Sequence, residues 1–200
     1  MSASTWPPER PRPAGAELST TEPVAAAVLV PIHEQEELHH LVLTKRRSDL
    51  RRHAGEISFP GGRRDPEDTD LSETALREAE EEIGLPREQV ELLGELPPTS
   101  TFVTNYVIHP FVARIPAGLT WVPSEREVEQ VLELPIDEVR AARGMTTIER
   151  RGISFQTDAY LLYGHVIWGA TARIIEHLLE RLDVSTTGAP RLSTADPDPA

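Results

Sequence analysis

Three carboxylates, Glu78, Glu81 and Glu82, fall at i, i+3 and i+4 in the run Arg77-Glu78-Ala79-Glu80-Glu81-Glu82-Ile83-Gly84-Leu85. On a helix, at about 100° per residue, these three share one face and Glu80 points roughly opposite. Like charges so placed repel by a few tenths of a kcal/mol per pair unless a cation sits between them. Hard oxygen ligands from side chains and a nearby turn carbonyl suit Mg²⁺ or Mn²⁺ rather than zinc, whose sites favour His and Cys. The turn is at hand: Gly61-Gly62 runs into Arg63-Arg64-Asp65-Pro66-Glu67-Asp68 just upstream. An acidic run alone is most often a solvated helix face; its junction with Arg77, Gly84 and the Gly-Gly turn lifts this one out of that class.

The pattern resembles the Nudix hydrolase signature, a Gly-rich turn followed by Arg-Glu-(aliphatic)-x-Glu-Glu-x-Gly-(aliphatic). Its second half matches residue for residue, from Arg77 to Leu85. The signature's Glu eight residues before the Arg falls on Thr69; counting forward from Gly62 reaches Asp68, and from Gly61 reaches Glu67, so one extra residue separates turn and helix. Upstream, Val42-Leu43-Thr44-Lys45-Arg46 and onward to Gly62 is similar to the motif of coenzyme A pyrophosphatases within that superfamily, Leu-Leu-Thr-x-Arg-(Ser/Ala)-x3-Arg-x3-Gly-x3-Phe-Pro-Gly-Gly. Thr44, Arg46, Arg51, Gly55, Phe59, Pro60, Gly61 and Gly62 are in register, Val42 replaces one Leu, and Arg47 stands where Ser or Ala is usual.

The resemblance implies an α/β (α+β) fold, an α/β/α sandwich around a mixed β-sheet. It implies Mg²⁺ or Mn²⁺ held by Glu78, Glu81, Glu82 and the Gly62 carbonyl, with Arg77 orienting a catalytic Glu and the turn. Arg46, Arg51, Gly55 and Phe59 become the substrate-binding positions, with the two arginines on phosphate. The implied reaction is hydrolysis of the diphosphate of coenzyme A or an acyl derivative to 3′,5′-ADP and (acyl-)4′-phosphopantetheine. A diphosphate repels an incoming nucleophile, so cations on its oxygens and an activated water are required. Glu81 or Glu127 could take the water's proton. Glu127, just before an expected strand, stands where several Nudix enzymes place a further ligand or base, and equally reads as an exposed loop residue. Two alternatives stay open: a Nudix hydrolase acting on ADP-ribose or another nucleoside diphosphate derivative, and a non-catalytic Nudix-like binding module.

The elements that position these residues can be read in outline. Val24–Val30 and Leu38–Thr44 are expected as a hairpin joined by residues 31–37, and Gly55–Gly62 as a strand leading into a turn. Ser72–Gly84 is the acidic helix, with Leu76, Ala79 and Ile83 facing the core and Gly84 as its stop. Strands are expected at 90–95, 107–115, 128–134 and 153–163, a short helix at 135–143, and an amphipathic helix at 168–182 through Ile174, Ile175, Leu178, Leu179 and Leu182. Pro-rich, polar segments 1–22 and 185–200 read as disordered tails around one domain of residues 23–184.

Composition sets the bounds. With 200 residues, 38% of them hydrophobic, the chain can build one core and bury roughly 70% of its unfolded surface. A net charge of −13 argues against nucleic acid or a membrane surface as partner. Against that balance, Lys45, Arg46, Arg47, Arg51, Arg52, Arg63 and Arg64 cluster before the acidic helix, as a small phosphorylated substrate would require. There is no cysteine, and hence no disulfide framework or thiolate nucleophile. The seven histidines show no paired metal spacing and read as structural or surface residues. No apolar run approaches the ~20 residues of a membrane span, so a cytoplasmic protein is expected, with a homodimer left open.

Overall fold

The computed structural model describes residues 22–50, 53–101, 105–150 and 152–187. Both expected tails lie almost wholly outside these residues, as do Arg51 and Arg52. Strand β1 (Val24–Gln35) pairs antiparallel with β2 (Leu38–Arg46). The connection expected over 31–37 shrinks to Glu36-Glu37, both at positive φ (52° and 64°), the turn geometry that matches strand twist. Strand β1 runs on past Pro31 because Ile32 and His33 are buried and pair with Leu41 and His40.

Two short strands, β3 (Ile57–Ser58) and β4 (Gly61–Arg63), lead to helix α1 (Leu71–Ile83). Asp70 caps the start of α1 by accepting from the Glu73 N–H at 3.0 Å, and Gly84 ends it in the left-handed region at φ 68°. Strands β5 (Glu91–Glu95), β6 (Thr99–Ser100), β7 (Tyr106–Arg114) and β8 (Val128–Pro135) follow, then α2 (Ile136–Ala141). The main sheet runs β3-β2-β1-β7-β5, with β8 beside β2, β4 beside β1 and β6 beside β7. Only the β1–β7 pairing is parallel among the described strands, so the sheet is mixed.

Several elements depart from expectation. The helix expected to Arg143 stops at Ala141, and Arg143–Arg150 forms β9, which pairs with β10 (Ile153–Leu162) and through it with β11 (His165–Trp168) in a separate antiparallel sheet. Strand β9 escapes a pattern search because Arg143, Met145, Thr147 and Glu149 are exposed and its other face is only half covered. The last helix, α3 (Gly169–Thr187), starts one residue late because Trp168 closes β11.

The central strands are apolar on both faces, since helices cover both. Ala27, Leu29 and Val42 pack with Ala75, Ala79 and Ile83 of α1; Val28, Val30, Leu41 and Leu43 pack with Ile174, Ile175 and Leu178 of α3. The outcome is the expected α/β/α sandwich around a mixed sheet. Among the described residues no helix is long and apolar enough to cross a membrane.

Candidate active site

The site begins with a buried acid. Asp68 is 5% exposed and accepts from Arg77 Nε at 2.9 Å and Nη2 at 3.1 Å, from Thr74 Oγ1 at 2.8 Å and from the Asp65 N–H at 2.9 Å. The Arg77 guanidinium holds the Asp68 carboxyl well below its ordinary range, and Asp68 in turn raises Arg77. Arg77 also donates to the Arg63 carbonyl at 3.2 Å. One side chain thereby ties α1 to the turn that precedes it.

Beyond this anchor stand two half-enclosed carboxylates. Glu82 is 6% exposed and its carboxyl is pushed up to about 8, chiefly by burial, with Glu78 and Glu127 adding and Arg46 opposing. Its oxygens accept from the Gly61 N–H at 3.3 Å and lie 3.6 Å from Arg46 Nη1. Glu78 is also raised by burial, although Arg77 sits 3.0 Å from its Oε1. At Gly62 a Cβ would lie 2.3 Å from Glu78 Oε1, so only glycine lets the turn and the carboxylate share this space.

The other expected residues are distributed more widely. Glu81 is exposed, with both carboxylate oxygens 3.4 Å from Arg77 Nη1, one helical turn back. Glu127 is half-exposed beside Arg46, 3.3 Å from Nη2, so Arg46 bridges Glu82 and Glu127. Gly55, at φ 69°, sits in the loop before β3, where its N–H donates to the Arg47 carbonyl at 3.4 Å. Phe59, expected at the substrate, is 2% exposed in the core on the α3 side. Arg47, the departure from the motif, binds Asp49 and the Glu125 carbonyl and braces the loop.

Among the described residues no three His, Cys, Asp or Glu side chains converge as a ready cage. Two do adjoin at a backbone turn, Glu78 and Glu82, and burial makes both poor as lone anions. That donor set fits Mg²⁺ or Mn²⁺, since Mg²⁺ commonly takes one or two carboxylates and completes its shell with waters and substrate oxygens.

The family model of the NUDIX domain matches residues 22–154 of the chain, which span the turn, α1 and the loop carrying Glu127. This chain belongs to the Nudix family. An uncharacterized Nudix hydrolase NudL of Photorhabdus laumondii is 38% identical over 161 residues, covering 80% of this chain and 85% of that one. The NudL of Yersinia pestis (strain Pestoides F) is equally similar, 38% over 161 residues and 80% of each chain. In fold, the Nudix hydrolase RenU of M. smegmatis gives a TM-score of 0.54 at 19% identity, covering 86% of this chain and 91% of its own. The NUDIX domain of Shewanella oneidensis NrtR, solved with ADP ribose, gives 0.53 at 15% identity, covering 81% and 90%. The protein is a Nudix hydrolase, and therefore an enzyme.

Within this Nudix frame the residue that pattern matching overlooked is Asp68. The signature's Glu is absent at Thr69, yet the acid one residue earlier makes the contact with Arg77. The signal was the count from Gly62, which lands on Asp68.

Proposed function

We propose that this Nudix hydrolase cleaves the diphosphate of coenzyme A or an acyl-coenzyme A, giving 3′,5′-ADP and (acyl-)4′-phosphopantetheine. One observation supports this above the others: the coenzyme A pyrophosphatase motif runs down β2 and back through β3 to β4, and Arg46 of that motif reaches Glu82 and Glu127. Substrate-reading and reaction-supporting residues therefore adjoin.

Glu78 and Glu82, with the Gly62 carbonyl, would hold Mg²⁺ or Mn²⁺, and Glu81 would join them on leaving Arg77. Such an ion, when bound, screens the diphosphate oxygens and lowers the pKa of a coordinated water. Arg46 binds the diphosphate with a charge-assisted hydrogen bond. Glu127 or Glu81, both open to solvent, accepts the proton as the water oxygen bonds to phosphorus and the bridging P–O bond breaks. Arg77, locked on Asp68, keeps the turn and Glu78 in place throughout.

Turnover of coenzyme A, dephospho-coenzyme A, acyl-coenzyme A, NADH, ADP-ribose and diadenosine polyphosphates with Mg²⁺ and Mn²⁺ tests this reading. Coenzyme A or an acyl derivative is expected to lead, with strict loss of activity in excess EDTA and a rate maximum at alkaline pH. Dephospho-coenzyme A or ADP-ribose cleaved as fast as coenzyme A would move the assignment to a general nucleoside diphosphate hydrolase. A charged hydrogen bond to phosphate is worth about 1.5–3 kcal/mol, so Arg46→Ala should cost roughly ten- to a hundredfold in kcat/KM, whereas Arg47→Ala should cost far less.

A further inference from the structure

A cavity of about 490 Å³ opens around the edge of the main sheet from the carboxylates, between Lys45, Gly55 and Ile57 on one side and Ile148, Val166 and Trp168 on the other. Lys45 and Arg46 are consecutive on β2 at the point where its register against β8 shifts, a break in the regular strand that sends the two side chains to different surroundings. Arg46 goes to Glu82 and Glu127, and Lys45 lines the cavity. One strand position thus separates the two sites, with the Gly55 loop at the corner.

Two of the charges that line this cavity are already matched. Lys45 Nζ lies 2.6 Å from Glu129 Oε1, and Glu56 Oε2 lies 2.6 Å from His53 Nδ1. Among the described residues that line it, no cation is left over for a phosphate, while Glu149 and His165 provide hydrogen-bonding groups on the wall that Ile148, Val166 and Trp168 otherwise form. The apolar surface also continues outward. By strand register, Ile148, Val166 and Trp168 share a face of the small sheet with Ile153, Phe155 and Leu161. Tyr160 and Ile167, on the opposite face, are buried with α3, whereas Ile153, Phe155 and Leu161 remain 66%, 39% and 44% exposed. Such a strip favours an apolar occupant.

We infer that the cavity and strip form a subsite for the non-nucleotide arm of the substrate, a neutral amide-bearing chain whose aliphatic acyl tail lies along Phe155 and Ile153. This rests on the coenzyme A reading above. The match is chemical: an uncharged arm enters where the lining lysine is already paired and a further carboxylate would repel phosphate, and its alkyl end covers the exposed strip.

Two measurements on the full chain test it. In steady-state kinetics with butanoyl-, octanoyl- and dodecanoyl-coenzyme A, kcat/KM should rise roughly twofold per methylene, about half the effect of full burial. Phe155→Asp and Ile153→Asp should flatten that dependence and leave coenzyme A itself within about twofold. Calorimetric titration with S-octanoyl-pantetheine, which has no diphosphate, should show binding to the wild-type chain and at least tenfold weaker binding to Val166→Asp. No binding of that arm, or equal binding by the variant, overturns the subsite whatever the hydrolysis panel gives. Binding of the arm without coenzyme A cleavage keeps the subsite and overturns the proposed reaction instead. A Phe155→Asp variant that turns a dimer into a monomer in sedimentation, with chain-length dependence intact, assigns the strip to a second copy of the chain and overturns the inference.

Discussion

Asp68 has four hydrogen bonds at one buried carboxylate, and they reach three residues of the turn and α1, Asp65, Thr74 and Arg77, that must stay in register. Asp68→Ala should therefore lower stability by about 2–4 kcal/mol and disable catalysis even in the fraction that folds. Because the folded carboxyl is held below its unfolded value of 3.8, its contribution is present above that value and fades as pH falls through the more acid range. In urea melts the gap between wild type and Asp68→Asn should narrow from pH 7 to pH 3 without closing, since the folded carboxyl is still ionised there; an undiminished gap at pH 3 would contradict this role. The two turn glycines should separate cleanly. A Cβ at Gly61 meets the Ala27 carbonyl at 2.3 Å, so Gly61→Ala strains the sheet by about 3 kcal/mol. At Gly62 the obstacle is the end of Glu78, which can swing aside, so Gly62→Ala should fold within about 1 kcal/mol of wild type and lose activity. Thermal melts and initial rates on both variants decide it. The carboxylates, Arg77 and the glycines were legible because their spacing is local. Asp68 and Phe59 were not, since an insertion hides the first and only packing reveals that the second faces inward.

Helix α1 could be read from its acidic face and its glycine stop, which are adjacent in sequence, whereas its Asp70 cap shows only in the structure. The small sheet could not, because β9 has no apolar alternation and gains its identity only from pairing with β10. Strand β1 was underestimated for a related reason. Its far end carries His33, a polar residue that looks like a boundary but is 2% exposed, stacked on His40 at 5.0 Å between ring centroids and 2.9 Å from Glu133. Burial, with His40 beside it, lowers the His33 pKa against the opposing pull of Glu133. A base lowered in the fold contributes stability that is present above its unfolded value of 6.5 and is lost as pH falls below it. The hairpin end of β1 and β2 should therefore loosen on acidification. Amide exchange at Ile32–Leu41 should speed up between pH 7.5 and 5.5 after correction for intrinsic rates. The same region in His33→Gln should show no such pH dependence.

The two faces of the sandwich have different duties. On the α1 face the protein keeps carboxylates where they are electrostatically uncomfortable, with Glu82 raised to about 8; on the α3 face it packs Ile174, Ile175 and Leu178 into a core with no such cost. The chain's net charge of −13 adds to the discomfort of the first face and to the attraction of that face for a divalent cation. Folding and ion binding should consequently be linked. A ligand that binds only the folded state adds about 2.7 kcal/mol at a hundred times its Kd. For a domain of this size each kcal/mol is worth about 2–4 °C in Tm, so saturating Mn²⁺ should raise the wild-type Tm by roughly 5–10 °C. Glu82→Gln removes a buried charge while keeping its shape, so without divalent ions this variant should melt at or above the wild-type temperature. With Mn²⁺ its gain should largely vanish, and kcat should fall by orders of magnitude. Calorimetric scans of both proteins with Mn²⁺ and with EDTA separate the outcomes. A variant that gains as much from Mn²⁺ as wild type would remove Glu82 from the ion site, and one that melts far below wild type in EDTA would make it a structural residue instead.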